Sequence, residues 1–295
     1  FFPNREKDSN LNIKEIIEYT SDNPVHEVFL LDKDNYVAKT SIVIKSTDTE
    51  SKIKELLESL IIDGKKESNI PNGFRAIIPV DTKILDVNLK DGILKINFSK
   101  EILEIDKSLE EKMIEAITYT LTGVDGVKGI LIYVEGELLD TLEKTKIKIP
   151  TYLTRDFGIN KEYDLTTTQN ITKTTIYYLN KNNDDYYYVP VTKVSNDNKD
   201  KINIIIDELA SGPIYQSNLM SFLNSNTKVI DYKIEDDTMT IKFNSYIFDN
   251  INTKKIIEEV KYSISYSIAD NYSVNEIIFM VDDQQIEKSV IKTLE

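Results

Sequence analysis

Residues 83–103 read KILDVNLKDGILKINFSKEIL and residues 228–248 read KVIDYKIEDDTMTIKFNSYIF; laid together without a gap they share Lys83/Lys228, Asp86/Asp231, Asp91/Asp236, Ile96/Ile241 and Phe98/Phe243. The first stretch alternates apolar and polar residues on either side of Asp91-Gly92, and an Asp-Gly pair between two such runs predicts a β-hairpin. The second has Asp236-Asp237 at that point, which predicts a looser turn. Outward from the hairpins the match continues: residues 127–134 lie over 274–281, and Val28-Phe29-Leu30 over Ile176-Tyr177-Tyr178. A spacing of about 145 residues is a domain length, far above the ~20–50 of a solenoid repeat. The chain is a duplicated domain, and the identical placement of Ile96 with Ile241 and Phe98 with Phe243 predicts equivalent core positions.

Each copy has the same order of elements. In the first, strands over 27–31 and 36–45 flank a polar turn at 32–35, and Ile53, Leu56, Leu57, Leu60 and Ile61 recur at helical spacing over 49–62. The hairpin follows, then a helix over 108–122 and a final strand over 127–134. The second copy repeats this with strands over 174–179 and 186–194, helices over 200–209 and 253–267, and a strand over 274–281. The class is α+β: two duplicated domains, each a small sheet with two helices on one face. The boundaries read as an N-terminal helical extension over 1–24, a first domain over 25–141, a linker over 142–173, a second domain over 174–287 and a C-terminal tail over 288–295. The extension carries Leu11, Ile13, Ile16 and Ile17 at helical spacing, which predicts a short helix over 10–20. A structureless stretch as long as 142–173 is unusual in a compact protein, so the linker is expected to be ordered and docked, with Arg155, Phe157 and Ile159 as its anchors.

Composition narrows the function classes. The chain has 295 residues, no cysteine, one histidine and a net charge of -14. Without cysteine there are no disulfides, thiolate metal sites or thiol nucleophiles. The negative charge argues against nucleic acid or an anionic bilayer as main partner, because either repels the chain at long range. The chain starts at Phe1-Phe2-Pro3 without Met, which leads us to expect an upstream segment, with Phe1-Phe2 as the end of an apolar anchor or the first residues of a trimmed chain.

The tandem copies, the helix endings at Leu56-Leu57…Gly64 and Leu209-Ala210-Ser211-Gly212-Pro213, the hairpin exits Asn97-Phe98-Ser99 and Lys242-Phe243-Asn244, and the linker Thr154-Arg155-Asp156-Phe157-Gly158-Ile159-Asn160 together resemble the GerM-like sporulation and spore-germination family. The resemblance spans residues 27–286 as two tandem GerMN domains. The Gly-Pro of the family after the first helix stands only in the second copy; the first has Asp63-Gly64-Lys65. The resemblance implies a ring-building-motif-like fold and an extracytoplasmic protein, membrane-anchored as a lipoprotein or through an N-terminal segment absent from this chain. Its partners would be other proteins of a sporulation membrane complex, a channel between mother cell and forespore. No catalytic residue, metal or cofactor comes with it.

The residues point the same way. His26 is the sole imidazole and sits at a strand entry, so it reads as a surface or strand-entry residue. Pieces of penicillin-binding motifs occur at Ser51/Lys54, Ser225/Lys228, Ser289/Lys292 and 21–23, in the wrong order and without K-T-G. The glycines at 123, 126 and 129 join a helix to a strand, whereas a phosphate loop precedes a helix. Asp32-Lys33-Asp34-Asn35 starts like a calcium loop, but Tyr36 takes a ligand position and no glycine follows. Catalytic, metal and cofactor sites are therefore expected to be absent, and the chain is read as a non-enzymatic assembly or scaffold protein. The alternatives are a cell-wall-active enzyme, using paired carboxylates at the domain seam on peptidoglycan, and a glycan- or peptide-binding module. The candidate partner-binding residues are Tyr186, Tyr187 and Tyr188, against ordinary sheet packing. Pro190 places their strand at a sheet edge, where aromatics form a ready template for another chain.

Overall fold

The computed structural model describes residues 24–213 and 215–291. The expected helix over 10–20 lies outside them. The first half contributes β1 (Val25–Leu31), β2 (Val37–Val43), α1 (Thr49–Ser59), β3 (Ile84–Lys90), β4 (Ile93–Phe98), α2 (Glu110–Leu121), β5 (Gly129–Val134) and a short β6 (Glu137–Leu138). A three-residue β7 (Glu162–Asp164) lies in the connection. The second half runs β8 (Thr172–Asn182), β9 (Asp185–Ser195), α3 (Lys201–Ser211), β10 (Val229–Glu235), β11 (Thr238–Phe243), α4 (Glu258–Asn271), β12 (Glu276–Val281) and β13 (Gln284–Val290). The last strand runs through the boundary that the sequence placed at 287.

Local chemistry explains the element ends. Asp48 caps α1 by accepting the Ser51 amide at 2.9 Å, an arrangement that contributes about 1 kcal/mol. α4 begins five residues after the expected 253, because Asn250 Oδ1 accepts the amides of Asn252 and Thr253 and Lys254 takes a φ of 52°. That turn competes with the first helical turn. The hairpin at Asp236-Asp237 is as tight as its counterpart, which corrects the expectation of a loose turn: Glu235 pairs with Thr238 just as Lys90 pairs with Ile93. Asp236 tolerates the required left-handed backbone, with a φ of 54° against 52° at Asp91.

The duplication is visible down to register. Each half has a four-stranded sheet, ordered β3-β4-β5-β6 and β10-β11-β12-β13, with a parallel pair in its middle. Both edge hairpins carry a bulge at the same place, at Leu85 and at Ile230. Ile96 and Ile241 are both fully buried, and Phe98 and Phe243 have exposures of 0% and 1%. They pack inward with their neighbours on the parallel strands, Ile132 and Val134 in one half and Phe279 and Val281 in the other.

The first hairpins of the two copies leave their own sheets and merge into a third, ordered β1-β2-β9-β7 with β8 on the other flank of β9. β9 is therefore interior, which corrects its expected place at an edge. The reason lies in which way Pro190 faces. Pro190 pairs with Tyr177 on β8, and its carbonyl points away from β8 to accept the Asn160 carboxamide at 2.8 Å. The missing N–H thus falls on the side where β2 pairs through Lys39 and Tyr188 alone, and the β8–β9 ladder loses nothing.

The outer margins of this shared sheet are closed by the halves themselves. On β1 the Phe29 amide donates to Thr120 Oγ1 at 3.0 Å, and Leu31 exchanges two backbone bonds with Arg75. On β8 the Tyr177 amide donates to Ser267 Oγ at 2.8 Å, Leu179 exchanges two bonds with Met220, and Asn271 brackets Thr175. The hydroxyl from the helix and the exchange with a loop recur in both copies.

Because both phenylalanines are close-packed, Phe98→Ala and Phe243→Ala should each lower unfolding free energy by about 3–5 kcal/mol. Urea denaturation checks this, and a cost below about 1 kcal/mol at either position would contradict equivalent core placement.

Candidate functional site

The surface between the two halves concentrates the polar chemistry of the molecule, and the connection supplies its centre. Thr154 accepts the Asp156 amide and starts a turn over Arg155–Phe157, which aims Arg155 at the junction. Its guanidinium donates to Asp270 Oδ1 on α4 at 2.5 Å, and to Glu27 Oε1 on β1 and the Tyr119 carbonyl on α2 at 3.0 Å each. Nε reaches Thr122 Oγ1 at 3.1 Å. The guanidinium also lies over the rings of Tyr119 and Phe29, at 4.9 and 5.5 Å from their centroids. One side chain thus ties both halves. Burial, the largest single influence, opposes its charge, but Asp270, Tyr177 and Tyr119 together outweigh burial, and the net effect holds the proton more firmly than usual.

Asp270 is completed by Tyr177, whose hydroxyl donates to Oδ2 at 2.5 Å. Burial and the Asp270 charge push that phenol well above its ordinary range. Lys39, opposite Tyr188 on β2, pairs with Glu27 and lies 4.5 Å from the Tyr266 ring centroid. Burial first, then the charge of Arg155, lowers its pKa to about 7, with Asp270 pulling the other way.

The other anchors of the connection sit beside it. Phe157 is 7% exposed and lies under the Lys161 ammonium, and Ile159 is fully buried. Ile159 exchanges with Thr192 on β9: its amide donates to Thr192 Oγ1 and its carbonyl accepts the Thr192 amide, both at 2.9 Å. Asn160 follows in a left-handed conformation, with a φ of 45°. Its Oδ1 accepts the Val37 amide at 3.0 Å, its Nδ2 donates to the carbonyls of Val37 and Pro190 at 2.8 Å each, and its own amide donates to Glu115 Oε2 at 2.9 Å. Burial pushes Glu115 up to about 7 despite Lys161, whose Nζ lies 3.8 Å away.

The tyrosine run divides across the sheet. Tyr187 meets Phe74 edge-on at 4.9 Å and donates its hydroxyl to Asp32 Oδ2 at 2.8 Å. Tyr188 stands edge-on to Tyr266 at 5.1 Å, inside the junction. Tyr186 alone of the three is exposed, at 39%, with Phe222 edge-on at 5.1 Å. Asp32, the start of the calcium-like run, is fully buried and shapes a turn instead: Oδ1 accepts the amides of Asp34 and Tyr36, and Oδ2 accepts from Asn180 and Tyr187. His26 lies opposite Ile42 on β1, its pKa lowered by burial and by Lys52. Among the described residues no three of His, Asp and Glu converge as a metal would require.

Sequence reasoning singled out Arg155, Phe157 and Ile159 in this region and passed over Lys39, Glu115, Asn160 and Asp270. Gly158 and Asn160, both turn formers, were a usable signal for a forced backbone path, and both adopt positive φ.

Comparison with known proteins gives concordant results. A family model described as "Germane: Sporulation and spore germination" matches residues 27–140 and again 175–287. The spore germination protein GerM of Bacillus subtilis (strain 168) is 34% identical over 274 residues, covering 90% of this chain and 73% of that protein. The solved structure of the tandem GerMN domains of the sporulation protein GerM from Bacillus subtilis superposes with a TM-score of 0.81 at 32% identity, covering 89% of this chain and 92% of the other.

Two predictions follow from the junction geometry. Arg155→Ala strands Asp270 beside a buried tyrosine and should destabilise by about 3–5 kcal/mol, while the paired change Arg155→Met with Asp270→Asn should recover part of that loss in a double-mutant cycle. The folded-state pKa of Glu115 lies above its ordinary 4.5, so the unfolded chain ionises first and stability falls as pH rises from about 4.5 through about 7. Glu115→Gln should flatten that part of the curve of Tm against pH.

Proposed function

The chain belongs to the Germane family of sporulation and spore germination, and from that membership we propose that it acts as a non-enzymatic assembly or scaffold protein. Its setting in this reading is extracytoplasmic, in a membrane-associated channel complex between mother cell and forespore, held to the membrane by a segment outside this chain. Among the described residues no helix is long and apolar enough to cross a membrane. Its partners are then other proteins of that complex.

The observation that carries this reading is how the carboxylates at the junction are used. Glu27 and Asp270 are committed to Arg155, Asp270 also to Tyr177, and Asp32 to two amides, Asn180 and Tyr187. A glycosidase needs one carboxyl held protonated and a second facing it across an open cleft. Here Glu27, Asp270 and Asp32 are spent on holding the two halves together, which favours rigidity over turnover.

Incubation with purified peptidoglycan, followed by chromatography of the soluble products, tests the reading. We expect no muropeptide release above that of a heat-inactivated control. Defined muropeptides, lost on Glu27→Gln or Asp270→Asn in variants that remain folded, would establish the cell-wall enzyme instead.

A further inference from the structure

The connection between the halves has no counterpart in the repeat, and it walls a groove of about 640 Å³ together with β7 and the start of β8. Four consecutive residues, Ile147, Lys148, Ile149 and Pro150, line it. Side chains on an extended segment alternate between faces, so an unbroken run along one wall means that the groove meets the backbone edge of that segment. The hydrogen bonds agree. Lys148 is bridged to Thr141, with Ile149 N–H donating to the Asp140 carbonyl and Leu142 N–H to the Ile147 carbonyl, both at 2.8 Å. In such a pair the amide and carbonyl of Lys148 itself point to the opposite edge, where they have no partner among the described residues.

The charged side chains around that edge are three lysines, Glu111 and Asp156, with aromatic rings beside them. Lys161 is satisfied by Glu111 at 2.6 Å, but Lys173 donates only to the neutral main-chain carbonyl of Asp156 at 3.1 Å. Lys148 has no carboxylate partner among the described residues. Tyr152 and Tyr163 stand at the rim, 49% and 66% exposed. Three lysines, Lys148, Lys161 and Lys173, line the groove against two carboxylates, Glu111 and Asp156, so beside this open strand edge the lining is locally positive in a chain of net charge -14, which suits an acidic ligand.

We propose that this groove takes an extended acidic peptide segment of a partner protein, laid as an added strand along residues 147–150. The proposal rests on the assembly reading given above and names the chemistry of its partner. A peptide backbone supplies the donor and acceptor that match the amide and carbonyl of Lys148; its alternate carboxylates meet Lys148 and Lys173, and its apolar stems lie between Tyr152 and Tyr163. A polysaccharide offers the charge without the repeating amide. Pro150 ends the available edge, which keeps the added strand short.

Fluorescence anisotropy of the full chain with a capped, labelled octapeptide of alternating threonine and glutamate tests this. The acidic peptide should bind, and its lysine-for-glutamate counterpart should not. Lys148→Glu with Lys173→Glu should weaken binding by about tenfold or more at unchanged Tm. N-methylation of alternate peptide amides should weaken it as well, since it removes ladder donors without altering charge. Equal affinity for both peptides, indifference to the double charge reversal, or indifference to N-methylation would overturn the proposal. So would binding confined to an acidic polysaccharide such as polygalacturonate, or occupation of the groove by a second copy seen as a dimer that the double variant abolishes. Any of these results leaves the muropeptide assay unchanged, so failure of the groove and failure of the scaffold reading are separable.

Discussion

A single carboxamide, that of Asn160, stands where the shared sheet would otherwise part. β2 and β9 pair at Lys39 and Tyr188; two residues further along the same register, Val37 would face Pro190, which has no amide to offer. Asn160 enters the gap and behaves as a missing peptide group, accepting the Val37 amide and donating to the carbonyls of both strands. Buried backbone groups left unpaired there would cost about 1–3 kcal/mol each. The residues around Asn160 follow from this need: Gly158 and Asn160 bend the chain into the gap, Ile159 fastens to Thr192, and β7 then continues along β9 where β2 leaves off.

The same merger rearranges the apolar interior. Tyr177, Tyr262 and Tyr266 of the second half belong to the core centred on the first, while Ala38 of the first belongs to the core centred on the second. A mutual exchange of this kind gives the junction the packing of a domain interior, so it differs from the wet, movable clefts in which two-domain enzymes hold substrate. Arg155 and its carboxylates operate inside that packed environment. Their value is geometric, since a buried ion pair roughly balances its own desolvation.

The repeat, the two hairpins, the core faces and the order of elements were legible because each is set by neighbours in sequence: alternation fixes a strand face, and Asp91-Gly92 fixes a turn. The tight turn at Asp236-Asp237 was missed because a second glycine-like position was taken as necessary, whereas this turn takes a positive φ at Asp236 and not at Asp237, the counterpart of Gly92. Pairing of β2 with β9 was not legible, since it joins segments on opposite sides of the duplication and rests on one residue pair and a side chain. The proline rule was sound as far as it went. It shows that one side of Pro190 cannot take part in a ladder, and sequence alone does not reveal that a carboxamide from the connection will cover that side. Arg155 was recognisable as an anchor from its isolation in a polar stretch, whereas its partners Glu27 and Asp270 look like any of the 50 acidic residues of the chain.

The closure of the shared sheet also has a temporal side. β2 and β9 lie roughly 150 residues apart, so at the usual ~5–20 residues per second of synthesis β2 waits about seven to thirty seconds for its neighbour to be made. Asn160, the residue that bridges them, is translated before β9 and can dock on Val37 ahead of it. Only 30 residues separate Asn160 from Pro190, so for roughly the last two to six seconds of that wait the carboxamide can cover an edge that would otherwise invite a strand from another nascent chain. The residue that completes the sheet in the finished molecule thus precedes in the chain the strand whose missing amide it replaces.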